Sequence, residues 1–180
     1  MNHLSFLLAL AALPSAQQAH VHGIAELRLA SDASKLQVEF QSPGDSLVGF
    51  ERAPKTDQER ALLTQVEGAL KAATWLKLPE QAGCRLLASE LDTKGFAASA
   101  DGHGHGHGHG HGHEHEHEHA EFLLTLSFDC SAIAALSQVS SGLFASYPRL
   151  EKVNVTALLG SGQFAGTLSA DAPTLAFEQP

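Results

Sequence analysis

The chain has 180 residues, 43% of them hydrophobic, enough for one domain with a sizeable core. Its formal charge is −9 with histidines neutral, from 11 basic and 20 acidic residues, which excludes the clustered Lys and Arg of a phosphate-backbone binder and suits the attraction of cations. The two cysteines, Cys84 and Cys130, do not form a Cys-x-x-Cys pair, which argues against zinc-ribbon and thioredoxin-like folds.

Residues 1–19 read as a secretory signal peptide. Residues 5–13 (SFLLALAAL) form an apolar run too short to span a bilayer as a helix, and Pro14 and small or polar residues follow up to Ala19. The segment before that run, Met1-Asn2-His3, lacks Lys and Arg, and Gln17 is a poor residue three positions from the cut. No later segment is apolar enough to span, so the expectation is a periplasmic protein whose residues 20–180 make a single metal-binding domain. In an exported protein two cysteines usually form one disulfide, with two separate buried thiols as the alternative. Closing so long a loop would stabilise by up to ~4 kcal/mol and would staple the base of the insert that lies between the cysteines.

Along the chain, residues 23–30 (GIAELRLA) and 35–41 (KLQVEFQ) alternate apolar and polar side chains, as two half-buried strands of a hairpin do. Pro43-Gly44 ends the second strand, and residues 49–54 (GFERAP) are a loop. Thr56-Asp57-Gln58-Glu59 fits a capping box, and Leu62, Val66, Ala69, Leu70 and Ala73 follow at helical spacing before Pro79, with Trp75 in the core. Residues 84–91 and 121–129 read as strands, 133–136 and 142–147 as short helices, and 152–159 with 163–168 as a second hairpin turned by Gly160-Ser161-Gly162. Residues 174–177 add an edge strand. The expected fold class is α+β: a mainly antiparallel sheet built from hairpins, with one long helix and short helices packed on it, plus a disordered His-rich loop inserted at residues 97–120.

That insert carries the chemistry. Nine of the twelve histidines fall within 17 residues, at His103, His105, His107, His109, His111, His113, His115, His117 and His119, alternating first with Gly and then with Glu. So much glycine precludes a stable helix and leaves too little apolar surface to fold alone. Neutral imidazole is a strong ligand for borderline metals, and glycine lets the backbone wrap until three or four imidazoles converge. Nine histidines would fill about two four-coordinate zinc sites. Redundant ligand sets imply several loading states, and fixing the loop costs roughly 1–2 kcal/mol per residue, so each site should have moderate affinity. Such a tract is a capture or buffering device, and protonation should empty it as pH falls through the histidine range. Nickel and copper(II) compete well for imidazole. A pH-responsive solubilising loop and a functionless expansion are the readings without a metal.

A second constellation, His20-Val21-His22, enters a strand with both imidazoles on one side, and is a candidate folded metal site. Cleavage after Ala19 would leave His20 with a free amine and His22 as third residue, a set that suits square-planar copper(II) or nickel. No Gly-x-Ser-x-Gly and no nucleophile–base arrangement is present. A metal-dependent hydrolase would need fixed ligands, an open position and a nearby base, and the sequence offers no such set.

Residues 19–23 (AHVHG), Ser42-Pro43, residues 47–51 (LVGFE), Ala53-Pro54, Cys84, the histidine-rich middle and Phe128-Asp129-Cys130 together resemble the ZrgA family of periplasmic zinc-binding proteins, over nearly all of residues 19–180. The resemblance implies a non-enzymatic role in zinc uptake beside a zinc-importing ABC transporter. It makes His20 and His22 candidate folded-site ligands and the tract a variable zinc-capturing loop. The alternatives are a nickel or copper chaperone or detoxifying sink, and a structural or interaction module whose tract only solubilises.

Overall fold

The computed structural model describes residues 21–93, 95–97 and 119–177. The signal segment, His20, and the tract from His103 to His117 with its expected disorder lie outside the described residues; His22 and His119 lie within them.

The first hairpin pairs β1 (Ile24–Asp32) with β2 (Lys35–Pro43), closing at Asp32 and Lys35. Its alternation is realised in three dimensions: Ala25, Leu27, Leu29, Leu36, Val38 and Phe40 are buried, and Glu26, Arg28, Gln37 and Glu39 face outward. Pro43 ends β2 and leads at once into a short helix, α1 (Gly44–Val48), where the sequence suggested only a break; Leu47 and Val48 pack into the core. A helix of 15 residues, α2 (Asp57–Lys71), follows. Thr56 caps it, its hydroxyl accepting the Glu59 amide, while the Glu59 carboxylate takes the Lys55 amide and a two-pronged ion pair from Arg52. The buried stripe of α2 is narrower than its sequence suggested. Val66 and Leu70 are buried and Leu63 partly so, but Leu62 is 37% exposed and Ala69 is also exposed. Leu62 lies one position, about 100° of helix, away from the seam that Leu63, Val66 and Leu70 occupy. The helix stops well before Pro79, and Trp75 lies beyond it, buried, with its indole N–H on the Leu70 carbonyl and its ring 5.0 Å from Phe40.

The rest of the chain supplies β3 (Leu76–Lys77), β4 (Cys84–Asp92), β5 (Glu121–Cys130), β6 (Gln138–Ser141), a one-turn helix α3 (Leu143–Ser146), and a second hairpin of β7 (Lys152–Leu159) and β8 (Gly162–Ser169), before β9 (Thr174–Ala176). Residues 133–135 form a 3-10 turn, not a helix proper. Six strands make the main sheet in the order β4-β5-β2-β1-β7-β8, and β3-β6-β9 make a small second sheet. Two features depart from the hairpin-only expectation. The hairpins join through a parallel pair, β1 with β7, so the main sheet is mixed. The last strand pairs with β6 in the small sheet and is no edge of the large one. Alternation records which face of a strand is buried; it is silent on which hairpin lies beside which, and on strands as short as β3.

One face of the main sheet carries the core. Inward residues of β1, β2, β5 and β7 pack with Val66 and Leu70 of α2 and with Leu143 and Phe144 of α3 in a single cluster. Cys84 and Cys130 are bonded and sit directly opposite each other on β4 and β5. This corrects where the staple lies. The insert leaves β4 after Asp92 and returns at Glu121, so the disulfide closes the far end of this strand pair and not the base of the insert. Among the described residues no helix is long and apolar enough to cross a membrane.

Candidate metal centre

Four segments meet at the insert end of the sheet: the entry to β1, the α1 turn, and the two arms of the insert. Gly23, at φ +80°, bends the chain into β1. Its amide donates to the buried Ser46 hydroxyl, and its carbonyl accepts the amides of Glu151 and Lys152. These bonds set His22 above α1. At the start of α1, the Gly44 amide donates to the Ala120 carbonyl at 2.8 Å. A Cβ on Gly44 would come within 2.6 Å of the Phe50 carbonyl oxygen and of the Phe96 ring, so this crossing admits only glycine.

Gly49 closes α1 in the left-handed conformation, at φ +83°. The next residue, Phe50, packs edge-on against Phe96, which packs on Phe122 of β5. Phe96 and Ala120 belong to the outgoing and returning arms of the insert, and both are buried. The arms touch where Gly95, at φ +83°, lies so close to Ala120 that a Cβ would be 2.7 Å from its Cα. His119, one residue earlier, is thereby held against the folded domain.

Glu51 is the focus of this arrangement. Its side chain is only 9% exposed, beneath His22 (61%) and His119 (65%). His119 Nδ1 donates to Glu51 Oε2 at 2.7 Å. His22 Nε2 lies 3.1 Å from Glu51 Oε1, yet not in line for a hydrogen bond, and Oε1 is buried with no hydrogen-bond partner. Leaving a buried acceptor unmatched costs about 1–3 kcal/mol, and more when it is charged. On the other side of the His22 ring, Nδ1 is 3.9 Å from Asp45 Oδ2. Asp45 is clamped by Arg149, whose Nη2 reaches both carboxylate oxygens at 2.6 and 2.7 Å and whose Nε donates to the Asp45 carbonyl. The pairing holds the Arg149 guanidinium more firmly protonated than an isolated one.

The site is therefore a buried carboxylate under two solvent-facing imidazoles, with a second carboxylate behind one of them. Oxygen and imidazole nitrogen are donors that zinc accepts. Among the described residues no three His, Cys, Asp or Glu side chains stand ready-made around one ion, because the two histidines face different oxygens of Glu51. Of the candidates named from sequence, the fold brings together His22 and His119; His20 and the eight histidines from His103 to His117 lie outside the described residues. Glu51, Asp45 and Arg149 were not singled out. Their partners are 23 to 104 residues away in sequence, and only the place of Glu51 at the end of the LVGFE run hinted at a role.

A family model described as ZrgA family zinc uptake protein matches residues 19–177, from just before His20 to the end of the described fold. The chain belongs to the ZrgA family. Membership assigns this ZrgA protein a role in zinc uptake, a function that is not an enzyme class, and it fits an exported protein. The matched range runs across the folded domain on both sides of the histidine tract. A comparison with curated proteins finds no match.

Proposed function

We propose that the protein is a periplasmic zinc-binding protein that captures and buffers zinc on the tract from His103 to His119 and passes it to the binding protein of a zinc-importing ABC transporter. One observation carries the reading: the last histidine of the tract is fastened to a buried carboxylate of the folded domain, beside a second histidine from the opposite end of the chain. The tract is thus connected to ordered ligand-type side chains at its C-terminal end. Exchange among redundant imidazoles gives a route for ligand-by-ligand transfer toward or away from that point. Family membership in zinc uptake supports zinc as the cargo, and the disulfide supports an oxidising compartment, which residues 1–19 would reach as a signal peptide.

Calorimetric titration of the exported protein with zinc tests this. The expected result is about two equivalents or more, as nine histidines allow, most of them lost when the eight histidines from His103 to His117 are replaced by asparagine. Titration against nickel and copper(II) distinguishes a zinc carrier from a chaperone or sink for those metals. Absence of zinc binding overturns the reading. Handover is tested by stopped-flow mixing of the loaded protein with a zinc-free importer binding protein: transfer faster than spontaneous release is expected.

A further inference from the structure

We infer that His22, Glu51 and His119 form a single folded zinc site at the base of the insert, distinct in kind from the redundant tract. The inference rests on the zinc-binding reading above and adds a fixed ligand set to it, with Glu51 at its centre.

The first argument is the state of Glu51. It is nine-tenths buried, and one of its oxygens has no hydrogen-bond donor although an imidazole nitrogen lies 3.1 Å away. A carboxylate kept only to anchor His119 needs one oxygen for that bond; the other would point to solvent or to a donor. Here it lies beside His22 Nε2, where a cation held between the two would satisfy it.

The second argument is spacing. Ligand atoms about 2.0 Å from a tetrahedral zinc lie about 3.3 Å from one another. The His22 Nε2 to Glu51 Oε1 separation of 3.1 Å is already close to that edge. His119 is hydrogen-bonded to the other oxygen, Oε2, at 2.7 Å; to bind, its Nδ1 proton passes through water to Nε2 and the ring turns toward the point shared by Oε1 and His22. Both imidazoles are solvent-facing, so they can turn toward a common point without disturbing the core.

The third argument is what stands behind the ligands. Metal-bound histidines commonly give their other ring N–H to a carboxylate, which fixes the ring and raises its basicity. Asp45 faces His22 Nδ1 from the side opposite Glu51, and Arg149 holds Asp45 by both side-chain oxygens and by its backbone carbonyl. The set is two nitrogens and one carboxylate, with a remaining coordination position facing solvent. Such a position allows incoming ligands to enter before outgoing ones leave, as handover requires.

The test uses the full-length chain with the eight histidines from His103 to His117 replaced by asparagine, which leaves His119 in place. Zinc titration with chelator competition should retain one equivalent. Adding Glu51→Gln or His22→Asn should weaken that equivalent at least about 100-fold, more than loss of an outer-shell partner does. His119→Asn, at a 65% exposed position that does not threaten folding, should do the same. Cobalt(II) should give a strong tetrahedral ligand-field spectrum in the parent and lose it in the Glu51 variant, while thermal melting of the metal-free proteins checks that each is folded. A remaining equivalent that is indifferent to Glu51 and His119, or no remaining equivalent while the unsubstituted chain binds zinc, overturns this site and leaves the zinc-binding reading standing. Failure of the unsubstituted chain to bind zinc removes both.

Discussion

Residues of three kinds shape the candidate centre, and each can be probed separately. Gly44 has no room for a side chain between Phe50, Phe96 and Ala120. Gly44→Ala forces the arms of the insert away from α1, and an overpacked site of this sort costs about 1–3 kcal/mol; denaturant unfolding would show it. Asp45 touches no proposed ligand atom; it faces His22 Nδ1 at 3.9 Å, close enough to take that N–H once the ring turns to a metal. Asp45→Asn is expected to weaken zinc binding about 10- to 100-fold with little change in thermal stability, read by titration and melting on one sample. Glu59 carries the clearest pH signature. The Arg52 guanidinium and the Lys55 amide lower its pKa from 4.5 to about 2. A folded-state value below the unfolded one means the folded chain binds fewer protons in that interval. The contribution is therefore complete above the ordinary carboxylate range and disappears as pH falls from about 4.5 toward 2. Unfolding measured across that interval should have a shallower acid slope in Glu59→Gln. The pair is only partly buried and still reached by solvent, so the effect is small. Residue chemistry was readable from sequence where the type is distinctive: Thr56 with Glu59 stood out as a cap, and His22 and His119 as candidate ligands that the fold brings to one carboxylate. Glu51 did not, because one glutamate among many acquires its meaning only when folding buries it between histidines distant in sequence.

Elements were legible in proportion to their length and periodicity. The alternation of residues 24–32 and 35–43 and of the β7/β8 hairpin fixed both strand type and inward face. Strands of two to four residues, such as β3 and β6, carry too few positions for a period to show, and α1 is a single turn hidden behind a Pro-Gly signal. The disulfide was legible as a pair; its position in the hairpin was not, because that depends on the register of β4 against β5. The cross-link spans 46 residues. Reducing it, or substituting both cysteines with serine, should lower stability by about 2–4 kcal/mol. Zinc stoichiometry should be unchanged in the folded protein, because the bond lies at the end of the strand pair away from His119. Parallel calorimetric and denaturant measurements would check both halves. The bulge between Leu86 and Ala88 interrupts this edge strand and leaves Leu87 exposed. A bulge on an edge makes a poor template for another chain's strand.

At the scale of the molecule, a mixed sheet with one buried face holds the core, and the proposed ligands stand at one end of it. The core depends on inward residues of β1, β2, β5 and β7 and on α2, none of which supplies a proposed ligand. Where the hairpins lie side by side could not be read from sequence: the parallel contact of β1 with β7 is a choice among sheet orders that local patterning does not encode.

The closure of the insert at Gly95 and Ala120 has a further consequence. The two arms meet there, so the residues between them leave and rejoin the fold at one place. The ends of the insert are held by a glycine contact and a backbone bond, and a longer chain between two fixed points costs closure entropy. That entropy grows slowly: doubling a flexible segment costs only about 0.6 kcal/mol. Adding or removing Gly-His pairs between the arms should therefore leave the melting temperature of the domain nearly unchanged.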